Sequence, residues 1–182
     1  NYSQICFNLL KKLPGRQKTV IIRRFGLSSS GTEVERETLQ SIGESFGITR
    51  ERVRQIERDG FLKLRTEAKK YQKVFQYFRN FLKEKENLKK EDLLLEELGG
   101  KNSKAQIYFL LNLAVGFERF RETDEFYSFW TLNRDSTDKA KKTIASFLEE
   151  LKKIGKPVLL KDLAQLSALN QVFGLLRGIY GD

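Results

Sequence analysis

Between Thr38 and Arg58 two amphipathic segments are separated by the three residues Phe46-Gly47-Ile48, and this spacing restricts the fold more than any other feature of the chain. Thr38 is of N-cap type and opens a short helix through Ser45, with Leu39 and Ile42 on its inward face. Thr49 is a second N-cap, and the helix from Arg50 runs to about Arg65. At about 100° per residue, Val53, Ile56 and Gly60 fall on one side of it. Two helices joined by a short glycine-containing turn make the helix-turn-helix pattern.

The rest of the chain is dominated by helical periodicity, with prolines only at Pro14 and Pro157. Ser3–Leu13 has helical spacing and is broken by Pro14-Gly15. Arg16–Phe25 follows, with Val20, Ile21 and Phe25 inward and Gly26 as its C-cap. Ser28–Glu37 is polar and reads as a loop. Beyond the helix-turn-helix come an aromatic-rich helix over Glu67–Lys85, a shorter one over Lys89–Leu98 and a third over Ser103–Val115. The period then changes. Phe117, Arg119 and Arg121 lead to Thr123-Asp124, and Phe126, Ser128 and Trp130 follow, which suggests a β-hairpin. Three helices and a hairpin is the order of a winged helix. Asp138–Ile154, Val158–Ser167 and Leu169–Ile179 start the pattern again without a hairpin.

The expected fold class is therefore mainly α. A helix-turn-helix domain covers 1–66, a winged-helix-like domain with a small β-hairpin covers 67–135, and a second, incomplete unit covers 136–182.

Lys+Arg number 34 against 24 Asp+Glu, a formal net charge of +10. Such an excess favours a polyanionic partner through counterion release, although charge alone does not separate DNA from RNA or an anionic membrane. The chain has no histidine and a single cysteine, Cys6. A Ser-His or Cys-His triad, an intrachain disulfide and a histidine metal site are thereby excluded. No apolar run is long enough to span a bilayer, and no signal peptide is visible. The expectation is a cytoplasmic, non-enzymatic protein without cofactor or metal. The first residue is Asn1 rather than methionine, which fits a fragment.

The chemistry is concentrated in Thr49-Arg50-Glu51-Arg52-Val53-Arg54-Gln55-Ile56-Glu57-Arg58. Opposite Val53, Ile56 and Gly60, the residues Arg50, Glu51, Arg54, Gln55 and Arg58 share the outward face. These side chains suit base edges: Arg for guanine O6 and N7, Gln for adenine N6 and N7, Glu for cytosine N4. The first turn of such a helix is the part that enters a major groove, and its backbone N–H groups favour phosphate.

Leu13-Pro14 through Phe25-Gly26-Leu27, then Thr38-Leu39-Gln40-Ser41-Ile42-Gly43, then Phe46 through Glu57 and Leu62-Lys63-Leu64-Arg65, resemble region four of primary-type bacterial sigma factors. The resemblance covers about residues 1–66. It implies that Arg50, Glu51 and Gln55 contact bases of the upstream (−35) promoter hexamer, with Arg52 and Arg54 on bases or phosphates beside them. Thr38, Thr49 and Arg58 complete the expected DNA-binding set. It also implies that the segment about Leu13–Leu27 grips the β flap of RNA polymerase, although Val20, Ile21 and Phe25 equally read as core. The implied partners are double-stranded promoter DNA and the polymerase core, in a bacterial, nucleoid-associated setting. Asp59-Gly60 departs from the family pattern, and Gly60 costs about 1 kcal/mol relative to alanine within a helix, so a bend or fraying is expected there. The parts of a sigma factor that melt a promoter would have to lie ahead of Asn1.

Two further groups stand out. Ser103, Lys104, Gln106 and Tyr108 lie on the third helix of the winged unit, where a second groove-reading face would sit. Glu91, Asp92, Glu96 and Glu97 point instead to a protein-docking role for that unit. Phe117, Phe120, Phe126, Tyr127, Phe129 and Trp130 read as hairpin core rather than base-stacking platforms. The leading functional expectation is a sigma-like transcription protein. The alternatives are a free-standing regulator or architectural protein, and the targeting part of a DNA-modifying enzyme.

Overall fold

The computed structural model describes residues 1–27, 34–100, 102–124 and 126–138, together with 141, 142, 145, 149 and 153. The expected helices Val158–Ser167 and Leu169–Ile179, and most of Asp138–Ile154, lie outside the described residues. The chain divides into two compact units. One comprises Asn1–Tyr77 with Leu95–Val115, the other Phe78–Leu94 with the described residues from Gly116 onward.

The first unit opens with α1 (Tyr2–Leu10), capped by the Asn1 side chain accepting from the Ser3 amide, and α2 (Gly15–Phe25). Pro14 stands at the N-cap position of α2, where its missing N–H costs nothing. Gly26 closes α2 in the left-handed region at φ 63°, as its sequence position implied. α3 (Leu39–Phe46) and α4 (Arg50–Ala68) are the expected pair. A 3-10 turn (Lys69–Tyr71) leads from α4 into α5 (Gln72–Glu84). α6 (Glu91–Gly99) and α7 (Lys104–Leu113) follow. The fraying expected at Gly60 does not occur, because α4 runs unbroken through it for 19 residues. Gly60 is buried and faces Ile21 of α2, so tertiary packing offsets its poor propensity.

α7 is a core element of this first unit. Ile107, Phe109, Leu110 and Leu111 are fully buried. The Phe109 ring lies 5.5 Å from Phe25 and 6.1 Å from Phe61, both edge-on, and Tyr108 lies 5.7 Å from Phe25. Such ring pairs add about 0.5–1.5 kcal/mol each beyond their buried area. Gln106 is buried too, its carbonyl beside the Cys6 sulfur at 4.0 Å. Tyr108 carries the Arg36 guanidinium 4.2 Å above its ring. The face expected to read a second groove is therefore not available at Gln106 or Tyr108. Those positions are spent on packing and on the cover provided by Arg36.

The second unit is built on a three-stranded antiparallel sheet: β1 (Leu88–Lys90), β2 (Glu118–Phe120) and β3 (Phe129–Thr131), in the order β1-β3-β2. Trp130 lies opposite both Lys89 and Arg119. The hairpin expected from the change in period is the β2–β3 pair, and Phe120 stacks on Phe129 at 4.8 Å. Phe129 and Trp130 are buried, as core residues should be. β1 was not anticipated, because a helix was expected from Lys89. Glu86 and Asn87 turn the chain with positive φ, and Leu88–Lys90 then pairs with β3 before α6 starts at Glu91.

Glu91 is a further correction. It is 5% exposed rather than part of an acidic docking surface. Its carboxylate is held by both arms of Arg119 and by the Trp130 indole N–H at 2.9 Å, while its amide donates to the Ser128 carbonyl at 2.8 Å. A buried carboxylate survives only when its lone pairs are taken up in this way. Asp92 pairs with Lys90, and Glu96 with Lys104, both at the surface.

Candidate nucleic-acid interface

α4 is mounted by a small apolar core and two caps. Val20, Ile42, Val53 and Ile56 form the core, with Leu39, Phe46 and Ile48 packed around it. The Thr38 hydroxyl accepts from the Ser41 amide at 3.0 Å and the Thr49 hydroxyl from the Arg52 amide at 3.2 Å. Each cap contributes about 1 kcal/mol. Thr38 and Thr49 thus start the two helices, and both remain exposed. Between them Gly47 turns the chain at φ 63°, a region that residues with a Cβ rarely adopt. Gly43 lies where α3 meets the turn. A Cβ there would be 2.7 Å from the Ile48 carbonyl oxygen, so only glycine permits the close crossing.

A charged lattice ties α2 to this pair. Arg23 grips Glu37 with Nε and Nη2, both at 2.6 Å, and its Nη1 donates to Ser45 Oγ at 2.6 Å. Ser41 Oγ donates to the same carboxylate at 3.0 Å. Hydrogen bonding to Arg23, aided by Ser41, holds the Glu37 carboxyl below the ordinary carboxylate range. Arg24 donates to the Glu37 carbonyl at 2.9 Å and lies 3.5 Å from Glu57 of α4. Burial nonetheless pushes the Glu57 carboxyl up, with Arg24 opposing it. Glu57 is therefore part of the mount, not of the outward face.

That outward face is as the helical spacing requires. Arg50, Glu51, Arg52, Arg54, Gln55 and Arg58 are all exposed, while Val53, Ile56 and Gly60 are buried. Arg50, Glu51, Arg54, Gln55 and Arg58 share one surface of α4, and Arg52 is exposed at its flank beside Gly47, Ile48 and Thr49. The spacing did not reveal that they pair among themselves. Glu51 receives the Arg54 fork at 2.7 and 2.8 Å, and Arg52 donates to Gln55 Oε1 at 3.0 Å. The first pair lowers the Glu51 carboxyl and raises Arg54 from their ordinary values. The i,i+3 spacing is the signal that could have found both pairs. The segment Leu13–Leu27 is different: Val20, Ile21 and Phe25 are core.

Residues 9–66 match the family described as Sigma-70, region 4. The N-terminal third of the chain carries a sigma-70 region 4. Over 58 residues, 32% of this chain, it is 50% identical to the RNA polymerase sigma-B factor of Nostoc sp. (strain PCC 7120 / SAG 25.82 / UTEX 2576), covering 16% of that protein. Over 56 residues, 31% of this chain, it is 46% identical to the RNA polymerase sigma factor RpoS of Coxiella burnetii (strain RSA 493 / Nine Mile phase I), covering 15% of it. The chain thus spans about a sixth of the length of these relatives. No helix among the described residues is long and apolar enough to cross a membrane.

Proposed function

We propose that this chain binds duplex DNA by laying the first turns of α4 into a major groove, reading a promoter element of the sigma type, and that it does so in company with RNA polymerase. The observation that carries this reading is the division of α4 into a buried side of Val53, Ile56 and Gly60 and an exposed side of Arg50, Glu51, Arg54, Gln55 and Arg58. Arg, Gln and Glu are the side chains that pair with guanine, adenine and cytosine edges. The basic excess supplies the sequence-independent part of the affinity. The role is recognition, without catalysis, cofactor or metal, in the nucleoid of a bacterial cytoplasm.

The test is site selection from a random duplex pool followed by single-base scanning. Gln55→Ala is expected to lose about 1–3 kcal/mol of discrimination at one base pair and little elsewhere. Equal loss on every sequence would remove base reading by Gln55.

One observation favours a second reading, a free-standing regulator that does not hold polymerase through α2. Phe25, within the segment expected to grip the β flap, is enclosed by Phe61, Tyr108 and Phe109. Co-purification with core polymerase separates the two. Retention supports the sigma-like role, and its absence beside intact site-specific DNA binding supports the regulator.

A further inference from the structure

The reading face is internally satisfied before any DNA arrives. Glu51 and Arg54 form a two-point pair, and Arg52 holds the Gln55 carbonyl oxygen. All four side chains are exposed, and Gln55 and Arg50 also act on the Glu51 carboxylate. To grip a guanine edge or a phosphate with the Nε and Nη2 hydrogens it gives to Glu51, Arg54 must leave Glu51. The carboxylate is then left facing a polyanion, and the base edge that repays it is a cytosine amino group, a donor. On a duplex without cytosine at that step, the departure of Arg54 is uncompensated. Gln55 is in the same position on a smaller scale. A bidentate contact to adenine needs its carbonyl oxygen, one of whose two lone pairs Arg52 already takes.

We infer that the Glu51–Arg54 pair is a discriminator against non-cognate DNA: Glu51 withholds Arg54 from indiscriminate phosphate contact and releases it where a cytosine amino group takes the carboxylate. This rests on α4 being the DNA-reading helix. Specificity here comes partly from penalising wrong sequences rather than only rewarding the right one.

The experiment uses the full chain as wild type, Glu51→Gln, Arg54→Ala and the double variant. Fluorescence anisotropy is measured over a salt series with a mixed-sequence duplex and with the duplex recovered by site selection. Glu51→Gln keeps the side-chain shape and removes the charge that holds Arg54. On the mixed-sequence duplex it should bind more tightly than wild type, with a salt slope steeper by about 0.9, the value for one additional phosphate contact. The ratio of selected to mixed affinity should fall. In the Arg54→Ala background the same substitution should leave the slope unchanged. Unchanged or weaker mixed-sequence binding by Glu51→Gln overturns the inference. A gain that persists without Arg54 also overturns it, because that is a plain charge effect. If wild type binds no duplex at all, the proposed function falls first and this inference with it.

Discussion

α4 and α7 occupy equivalent places in two successive helix-turn orders, and the structure uses them in opposite ways. α4 buries one stripe and exposes Arg50, Glu51, Arg54, Gln55 and Arg58. α7 buries Gln106, Ile107, Phe109, Leu110, Leu111 and Leu113, which leaves little of its circumference for a ligand. Order of elements is therefore a poor guide to which helix keeps an exposed charged face. The width of the apolar stripe is a better one, since a helix apolar on most sides is interior. α7 also packs among rings from α2 and α4, so in this chain the scaffold of α4 extends past the residues that match region 4.

The largest expected effect tests that last step. Phe109→Ala removes a fully buried ring that packs edge-on against both Phe25 and Phe61. It should cost about 3–5 kcal/mol of unfolding free energy in a urea titration, although residue 109 lies more than 40 positions beyond the matched stretch. A loss below 1 kcal/mol would mean α7 is not part of the scaffold. Gly43→Ala asks the same of the mount under α4. Its new Cβ meets the Ile48 carbonyl oxygen at 2.7 Å, and backbone cannot swing aside as a side chain can. A loss of about 1–3 kcal/mol is expected, with weaker duplex binding because the turn that aims α4 must shift.

The contrast between the two helices was only half legible in the chain itself. The register of α4 could be read because one narrow stripe, two threonine caps and a glycine turn agree with one another, and the structure keeps all of them. On α7 the polar residues Gln106 and Tyr108 suggested an outward face, while Ile107, Phe109, Leu110 and Leu111 already described a helix apolar on most sides. β1 was hidden because Leu88–Lys90 is too short to show alternation and pairs with a strand 41 positions away, at Phe129–Thr131. Glu91 looked like a surface acid because Arg119 and Trp130, which satisfy it, are 28 and 39 residues distant. Contacts of that range leave no periodic trace. The same holds for the Arg23–Glu37 pair, which bridges 14 positions.

That pair predicts a pH dependence for the mount. Glu37 has a folded-state carboxyl depressed chiefly by Arg23, so it contributes stability that is present at neutral pH and above its unfolded value. The contribution disappears as pH falls through the depressed folded value. Glu37→Gln should therefore be less stable than wild type at pH 7, and the gap between the two should close on acidification. Glu57 has the opposite sign, because burial raises its folded carboxyl. Its contribution is present at low pH and is lost as pH rises through that raised value, so Glu57→Gln should gain on wild type toward neutral pH. Thermal melts of the three proteins across the acid range give both signs. A Glu37→Gln gap that stays constant with pH would show that the Arg23 pair does not hold this segment.

The smallest effect concerns Gly60, where α4 gives up propensity on its inward side. A Cβ there would meet Ile21 at 3.5 Å and Gln17 at 3.9 Å, ordinary van der Waals distances, and the backbone is helical. Gly60→Ala should therefore fill space without displacing α2. It should raise stability by about 0.5–1 kcal/mol, from the entropy the unfolded chain no longer gains. The exposed face is untouched, so DNA affinity and sequence preference should not change. If Gly60→Ala instead destabilises the chain, α2 and α4 are packed more tightly than these distances allow, and the glycine is required for the helix crossing. If it stabilises the fold but weakens DNA binding, α4 must change its bend at this point to follow a groove, and the unbroken helix seen here is the unbound form.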